Sequence, residues 1–232
     1  MLKRRCKAVS HPIFARLYAS QSVKAERRGL AEHRSRLLSG LAGRVIEVGA
    51  GNGLNFPHYP DSVEQVLAIE PEDYLRERAL EAAWEAPVPI EVRAGLAERL
   101  PADDESFDVG IASLVLCSVQ DPRRALGELF RVIREGGELR FHEHVRSRQS
   151  AVARVQAIAD AVVWPRLAGG CHLSRDTERL IAEAGFTVES LERFRFGIPP
   201  LDPPKPHILG RARRGAPAPS VAAARHGAIT AS

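Results

Sequence analysis

The stretch RVIEVGAGNGLNFPHYP, Arg44 to Pro60, holds the residues best suited to chemistry. Gly49, Gly51 and Gly53 stand at alternate positions behind an apolar run that contains one acid, Glu47. Glycines so spaced let a ligand approach bare backbone, although a tight strand-to-helix turn without a ligand uses the same residues. Glu70 separates the two readings. It closes the next apolar segment, 17 residues beyond Gly53, and a carboxylate there can accept both hydrogen bonds of a ribose 2′,3′-diol. Loop and acid together point to an adenosine-containing ligand.

A dinucleotide fingerprint spaces its glycines Gly-x-Gly-x-x-Gly, so that a helix N-terminus meets the pyrophosphate. Here the third glycine comes one position early, and Glu47 stands two residues before the first. An acid beside the ligand repels a pyrophosphate and attracts an ammonium. S-adenosylmethionine carries an ammonium, a sulfonium and no phosphate, so the loop is read as its cradle.

The surrounding elements must place this loop. Strands are expected over 44–50, 63–70, 90–95, 107–116 and 137–145, with helices over 72–86 and 121–135. The second helix has Asp121 as N-cap and Pro122 in its first turn, and it stops at Gly136-Gly137. A helix over 175–185, a strand over 186–194, a proline-rich turn at 199–206 and a last strand over 205–213 complete the series. Such alternation predicts an α/β fold: a Rossmann-like, mostly parallel sheet with helices on both faces. Ligands of such sheets bind at the carboxyl ends of the strands, where the glycine loop lies.

The formal net charge of +4 in 232 residues is unevenly spread. Residues 1–36 hold ten Lys/Arg and two acids, and 205–232 hold five and none, which leaves 18 basic against 27 acidic residues in 37–204. An acidic body with basic ends argues against direct nucleic-acid binding. The opening 36 residues read either as an organelle transit peptide or as a basic amphipathic helix on the domain, since Ile13, Phe14, Leu17 and Tyr18 recur at helical spacing; the helix is favoured. Residues 37–213 form the expected domain, and 214–232 a disordered tail. Three dispersed cysteines, Cys6, Cys117 and Cys171, suit a reducing cytoplasm, and no apolar run reaches membrane-spanning length.

EVGAGNG, Glu70, LAERLPADDESFDVGIASLVLCSVQDP and RVIREGGELRF occur in the order found in the class I S-adenosylmethionine-dependent methyltransferases, which residues 40–145 resemble. The resemblance implies a seven-stranded sheet whose seventh strand, here PHILGRAR, runs antiparallel. SLVLCSV, FHEHV, GGCHLSRDT and PHILG further resemble the thiol S-methyltransferases within the methyltransferase type 11 group. The animal proteins begin with an apolar anchoring segment that this sequence lacks, so membrane attachment is not carried over. The resemblance implies that Glu47, Gly49, Ala50, Gly51, Asn52 and Gly53 line the methionine part of the cofactor. Glu70 holds the ribose, with Pro71 beside it. Leu96, Ala97 and Glu98 lie near the adenine, although Leu96 stands where many members have an acid. Ser113 and Leu114 end the fourth strand close to the sulfonium.

Methyl transfer is an in-line displacement, and the protein must hold the nucleophile about 3–3.5 Å from the methyl carbon and exclude water. An alkyl thiol, ionising near pH ~8.5, needs little help, so no dramatic catalytic residue is required. His144 and Glu143, after the fifth strand, are the candidates for deprotonating or orienting the acceptor. Cys117 and Ser118 are expected to face the acceptor pocket, with Cys117 a small apolar wall. Cys171-His172 has half of a metal pattern and no second pair at ligand spacing, so no metal is expected. Trp164 and Pro165 read as a pocket wall or as core. The expected activity is methylation of a small molecule, an alkyl thiol first. Oxygen or nitrogen acceptors, a nicotinamide-dependent oxidoreductase and a non-catalytic cofactor-binding protein are the alternatives.

Overall fold

Val45, Val66, Ala68, Val109 and Ile111 pack into one apolar layer, while Ile46, Val48, Leu67, Ile69 and Ala112 pack into another. This alternation, the period of two of extended backbone, buries strands on both faces. The computed structural model describes residues 12–162, 164–167, 169–198 and 202–215. Its strands are β1 Gly43–Val48, β2 Val63–Ile69, β3 Ile90–Arg93, β4 Phe107–Ser113, β5 Ile133–His144, β6 Phe186–Ile198 and β7 Asp202–Arg214. They form one sheet in the order β3-β2-β1-β4-β5-β7-β6. Pairing is parallel from β3 to β5, and β7 runs antiparallel to both β5 and β6. The order reverses at β1, which lies between β2 and β4, so the crevice beyond its carboxyl end is the ligand position of a doubly wound sheet.

The N-terminal helices α1 (Pro12–Ala25) and α2 (Ala31–Leu38) flank a single π-helical turn, Glu26–Leu30. Gly29, at φ 112°, takes the kink there. Leu37 and Leu38 join the Val45 layer, and His33 stacks on Phe194 at a centroid distance of 4.1 Å. These contacts seat the segment on the domain, with α2 reaching Leu38, two residues past the expected boundary at 36. Helix α3 (Asp73–Ala83) is capped by Glu72, whose side chain accepts from Leu75 N–H at 2.8 Å.

Helix α4 (Pro122–Val132) starts as expected, with the Asp121 side chain accepting from Arg124 N–H at 3.0 Å. It buries Ala125, Leu126, Leu129 and Val132, one stripe at helical spacing. It stops three residues earlier than expected, because Ile133 already pairs with Phe107 in the sheet. The glycines after it serve the irregularity of β5 instead: Gly137 lies so close to the Asp108 carbonyl that a Cβ would stand 2.6 Å from it.

Other boundaries shift in the same way. β4 ends at Ser113 rather than 116, because Leu114 adopts φ 57° and turns the chain. β3 is shorter than expected, and β6 and β7 are longer, pairing with each other along their length. Much of the expected turn at 199–206 is therefore strand. Helices α5 (Ser150–Val162) and α6 (Trp164–Leu167), in a segment assigned no helix, and α7 (Thr177–Glu183) complete the fold. β7 runs through Arg214, one residue past the expected domain end, and most of the expected tail, 216–232, lies outside the described residues. Among the described residues no helix is long and apolar enough to cross a membrane.

Candidate active site

β1 leads directly into the glycine loop, whose glycines have φ of 67°, 58° and 78° at positions 49, 51 and 53. Gly49 is the most constrained, since a Cβ there would lie 2.3 Å from Val115 Cγ2. The loop thus packs tightly against the turn that follows β4. Gly51 N–H donates to Glu70 Oε2 at 2.8 Å, and Glu72 N–H donates to Oε1 at 2.9 Å. Glu70 is therefore fixed by backbone at the carboxyl end of β2, and each oxygen retains acceptor capacity for a ligand hydroxyl.

Glu47, 1% exposed, accepts from Asn55 Nδ2 at 2.8 Å and from Tyr59 Oη at 2.6 Å. Arg34 of α2, also buried, donates to Asn55 Oδ1 at 2.7 Å, Ser113 Oγ at 3.4 Å and Glu26 Oε1 at 2.6 Å. From α1, Ser22 Oγ donates to Asn52 Oδ1 at 3.4 Å, and Tyr18 lies over Gly51. Helices α1 and α2 therefore cover the loop. Nothing in the sequence marks Tyr18, Ser22, Glu26, Arg34, Asn55 and Tyr59 for this site. A buried charge at Arg34 needs a partner, but nothing local names an asparagine 21 residues away.

Burial pushes the carboxyls of Glu47 and Glu70 up, against hydrogen bonds that draw them down. Two destabilised buried carboxylates beside the glycine loop suit a cationic, hydroxyl-bearing ligand. The glycine loop, Glu47 and Glu70 thus fit S-adenosylmethionine. Ionised carboxylates favour an ammonium, so affinity for S-adenosylhomocysteine should fall on mild acidification, starting above the ordinary carboxylate range. Glu47→Gln should flatten that pH dependence; calorimetric titration across the pH series reads both.

The remaining expected cofactor residues divide. Ala50 is buried under the loop, and Pro71 O accepts from Arg76 Nη1 at 3.3 Å. Ser113 and Leu114 lie at the end of β4, with Leu114 N–H donating to His142 O at 2.7 Å. Leu96 bridges Arg99, and Ala97 is buried in the core. The carboxylate of Glu98 turns to the start of α4, accepting from Gln120 N–H at 3.0 Å and Asp121 N–H at 3.3 Å.

Beyond β4 the turn is held from two sides. Glu143, fully buried, accepts from Val115 and Leu116 N–H through Oε1 (2.9 and 2.8 Å) and from Cys117 N–H through Oε2 (3.2 Å). Burial raises its carboxyl to about 7 despite these bonds. Arg175 donates to the carbonyls of Leu116 and Val119 from the opposite side. His172 N–H donates to Cys117 O at 2.8 Å, which sets Cys171 next to Cys117. Asp160 of α5 pins the same loop, accepting from Leu173 N–H at 2.7 Å and Ser174 N–H at 2.8 Å.

These constraints bring Cys171 Sγ within 2.7 Å of His144 Nε2, and the donor atoms of Cys117, His144 and Cys171 all lie within 4.8 Å of one another. His144 Nδ1 is buried without a hydrogen-bond partner among the described residues. Cys171 is held down to about 4, first by the hydrogen bond from Cys117 and then by His144. Cys117 is pushed well above its ordinary value by that same bond and by burial. In sequence Cys171 stands beside His172 as half a metal pattern; the fold pairs it with Cys117 and His144, residues 54 and 27 positions away.

A sheet of this order with a glycine cradle after β1 and an acid after β2 defines a Rossmann-like S-adenosylmethionine-dependent methyltransferase. Residues 46–141 match the model of a methyltransferase domain. Thiol S-methyltransferase TMT1B of Mus musculus is 35% identical over 211 residues, covering 87% of this chain and 84% of that protein. Its counterpart in Homo sapiens is 36% identical, covering 75% and 73%. A solved S-adenosylmethionine-dependent methyltransferase from Methanosarcina mazei superposes with a TM-score of 0.61 at 18% identity, covering 75% of this chain and 93% of that one. The chain belongs to the S-adenosylmethionine-dependent methyltransferases. It is an enzyme of that family, with S-adenosylmethionine as cofactor.

Proposed function

We propose that the acceptor is a small alkyl thiol, methylated on sulfur at the carboxyl ends of β4 and β5. The observation that carries this reading is the cluster of Cys117, Cys171 and His144 on and beside the turn that packs against the glycine loop. An alkyl thiol also ionises close enough to neutral pH to be methylated without a strong base, which suits a site whose buried acid, Glu143, is taken up by a turn. The similarity to curated thiol S-methyltransferases supports the same choice.

The cofactor, when bound, supplies a methyl group already activated by the sulfonium. The chain's part is to hold and to exclude. Glu70 holds the ribose, and Glu47 with Gly49, Ala50, Gly51, Asn52 and Gly53 holds the amino-acid end. Tyr18, Ser22 and Arg34 close α1 and α2 over the loop and keep water out. His144 orients the acceptor sulfur. Glu143 acts through the 115–117 turn as a positioning residue rather than as a base, because it is fully buried and its carboxylate is turned to the N–H groups of that turn. The chemistry needs reduced thiols, which suits a cytoplasmic setting.

Transfer of a labelled methyl group to a panel of small thiols, alcohols and amines tests the reading, with S-adenosylhomocysteine binding as the control for a formed site. Turnover confined to the thiols is expected. Turnover of an amine or alcohol instead, or none with cofactor binding intact, withdraws the thiol acceptor.

A further inference from the structure

We propose that Cys117, Cys171 and His144 form a binding site for a thiophilic d10 divalent cation of the zinc class, with a fourth coordination position left open for the acceptor sulfur. Two sulfurs and one imidazole are the donor set such an ion prefers. Their donor atoms, all within 4.8 Å of one another, can converge on one ion with bonds of about 2.0–2.3 Å. Three protein ligands and an open position are the pattern of a catalytic rather than a structural zinc site.

The ligand set is built before any ion arrives. Glu143 and Arg175 fix the turn that carries Cys117. The His172 N–H bond to Cys117 O and the Asp160 bonds to Leu173 and Ser174 fix the loop that carries Cys171. His144 is the last residue of β5, held by its register opposite His207. Each ligand thus comes from an element anchored by other contacts, which lowers the cost of organising a site. Cys117 is 1% exposed and Cys171 is half-buried, so Cys171 is the more accessible of the two thiols.

The open position gives the ion a task, and this part rests on the thiol reading. A thiol that coordinates such an ion loses its proton to solvent and stays bound as thiolate. A lone pair of that sulfur forms the new bond to the methyl carbon, and the sulfonium C–S bond breaks with its electron pair left on the departing sulfur. The product is a neutral thioether, a poorer ligand than the thiolate, and it dissociates.

The test uses the full chain, reduced, stripped with a chelator and titrated anaerobically with Zn2+ against a chromophoric competitor. One equivalent should bind, and Cd2+ should give the ultraviolet sulfur-to-metal charge-transfer band of two thiolates. Cys117→Ser and Cys171→Ser should each weaken Zn2+ by at least about 100-fold, and His144→Gln by about 10-fold or more, whereas Cys6→Ser should leave it unchanged. S-adenosylhomocysteine binding shows that each variant has folded; where a serine variant fails that control, Cys171→Ala and the charge-transfer band of the parent chain decide. Stripping should lower thiol methylation at least tenfold, and Zn2+ should restore it. Thiol turnover without stoichiometric Zn2+ overturns the metal site and leaves the thiol reading standing. Bound Zn2+ without thiol turnover upholds the site and removes the acceptor. Bound Zn2+ with turnover indifferent to stripping overturns the role of the open position.

Discussion

Glu70→Ala should weaken binding of S-adenosylhomocysteine about 100-fold, measured by isothermal titration calorimetry. The carboxylate closes β2 beneath the glycine loop, with Gly51 and Glu72 N–H fixing its oxygens. Hydrogen bonds to a charged group contribute about 1.5–3 kcal/mol each, and a ribose diol makes two. Water entering the alanine cavity recovers part of that, leaving a loss of about 2.7 kcal/mol, or two decades in the dissociation constant. The same substitution frees the Gly51 N–H, so the loop loses its tether as well as its ligand contact. Glu70→Gln keeps one acceptor and should fall between. Equal affinity in parent and Glu70→Ala would remove this residue from the ribose and, with it, the reading of the crevice beside β1.

Glu143→Ala should cost about 4 kcal/mol of stability. Three backbone N–H groups, of Val115, Leu116 and Cys117, lose their acceptor in a site closed to solvent. Each buried unsatisfied group costs about 1–3 kcal/mol. At roughly 2–4 °C per kcal/mol for a chain of this size, the melting temperature should fall by about 12 °C in differential scanning calorimetry. Glu143→Gln retains one accepting oxygen and should lose about half as much. The turn also carries Cys117 and packs Val115 against Gly49, so cofactor affinity should weaken too. A melting temperature within about 2 °C of the parent would mean that Arg175 and the backbone hold the turn unaided, and Glu143 would lose its positioning role.

The legible part of this enzyme is local. Gly49, Gly51 and Gly53 followed by Glu70 mark a cofactor cradle because each answers a requirement met within a few residues: left-handed backbone, close approach, a carboxylate ending a strand. Asp121-Pro122 likewise marks the start of α4, since capping is a matter of adjacent N–H groups. The end of that helix was not legible: the pairing of Ile133 with Phe107, across the sheet, overrides the glycines that suggested a later stop. Leu114 at φ 57° was hidden too, because a leucine gives no sign of a turn that Glu143 enforces from another strand.

The same division runs through the site. Sequence by itself determined the fold class and the cofactor, because contiguous strand and loop chemistry encodes them. Only tertiary structure decided that Arg34, far upstream, reaches Asn55 beside the glycine loop, and that Glu143 accepts from the N–H groups of the turn after β4. It also decided that Cys171 belongs with Cys117 and His144 rather than with its neighbour His172. The physical reason is the topology of the sheet. Parallel strands separated by crossovers bring their carboxyl ends together at one edge, so the side chains that meet there are tens of residues apart and share no spacing that a linear pattern could display.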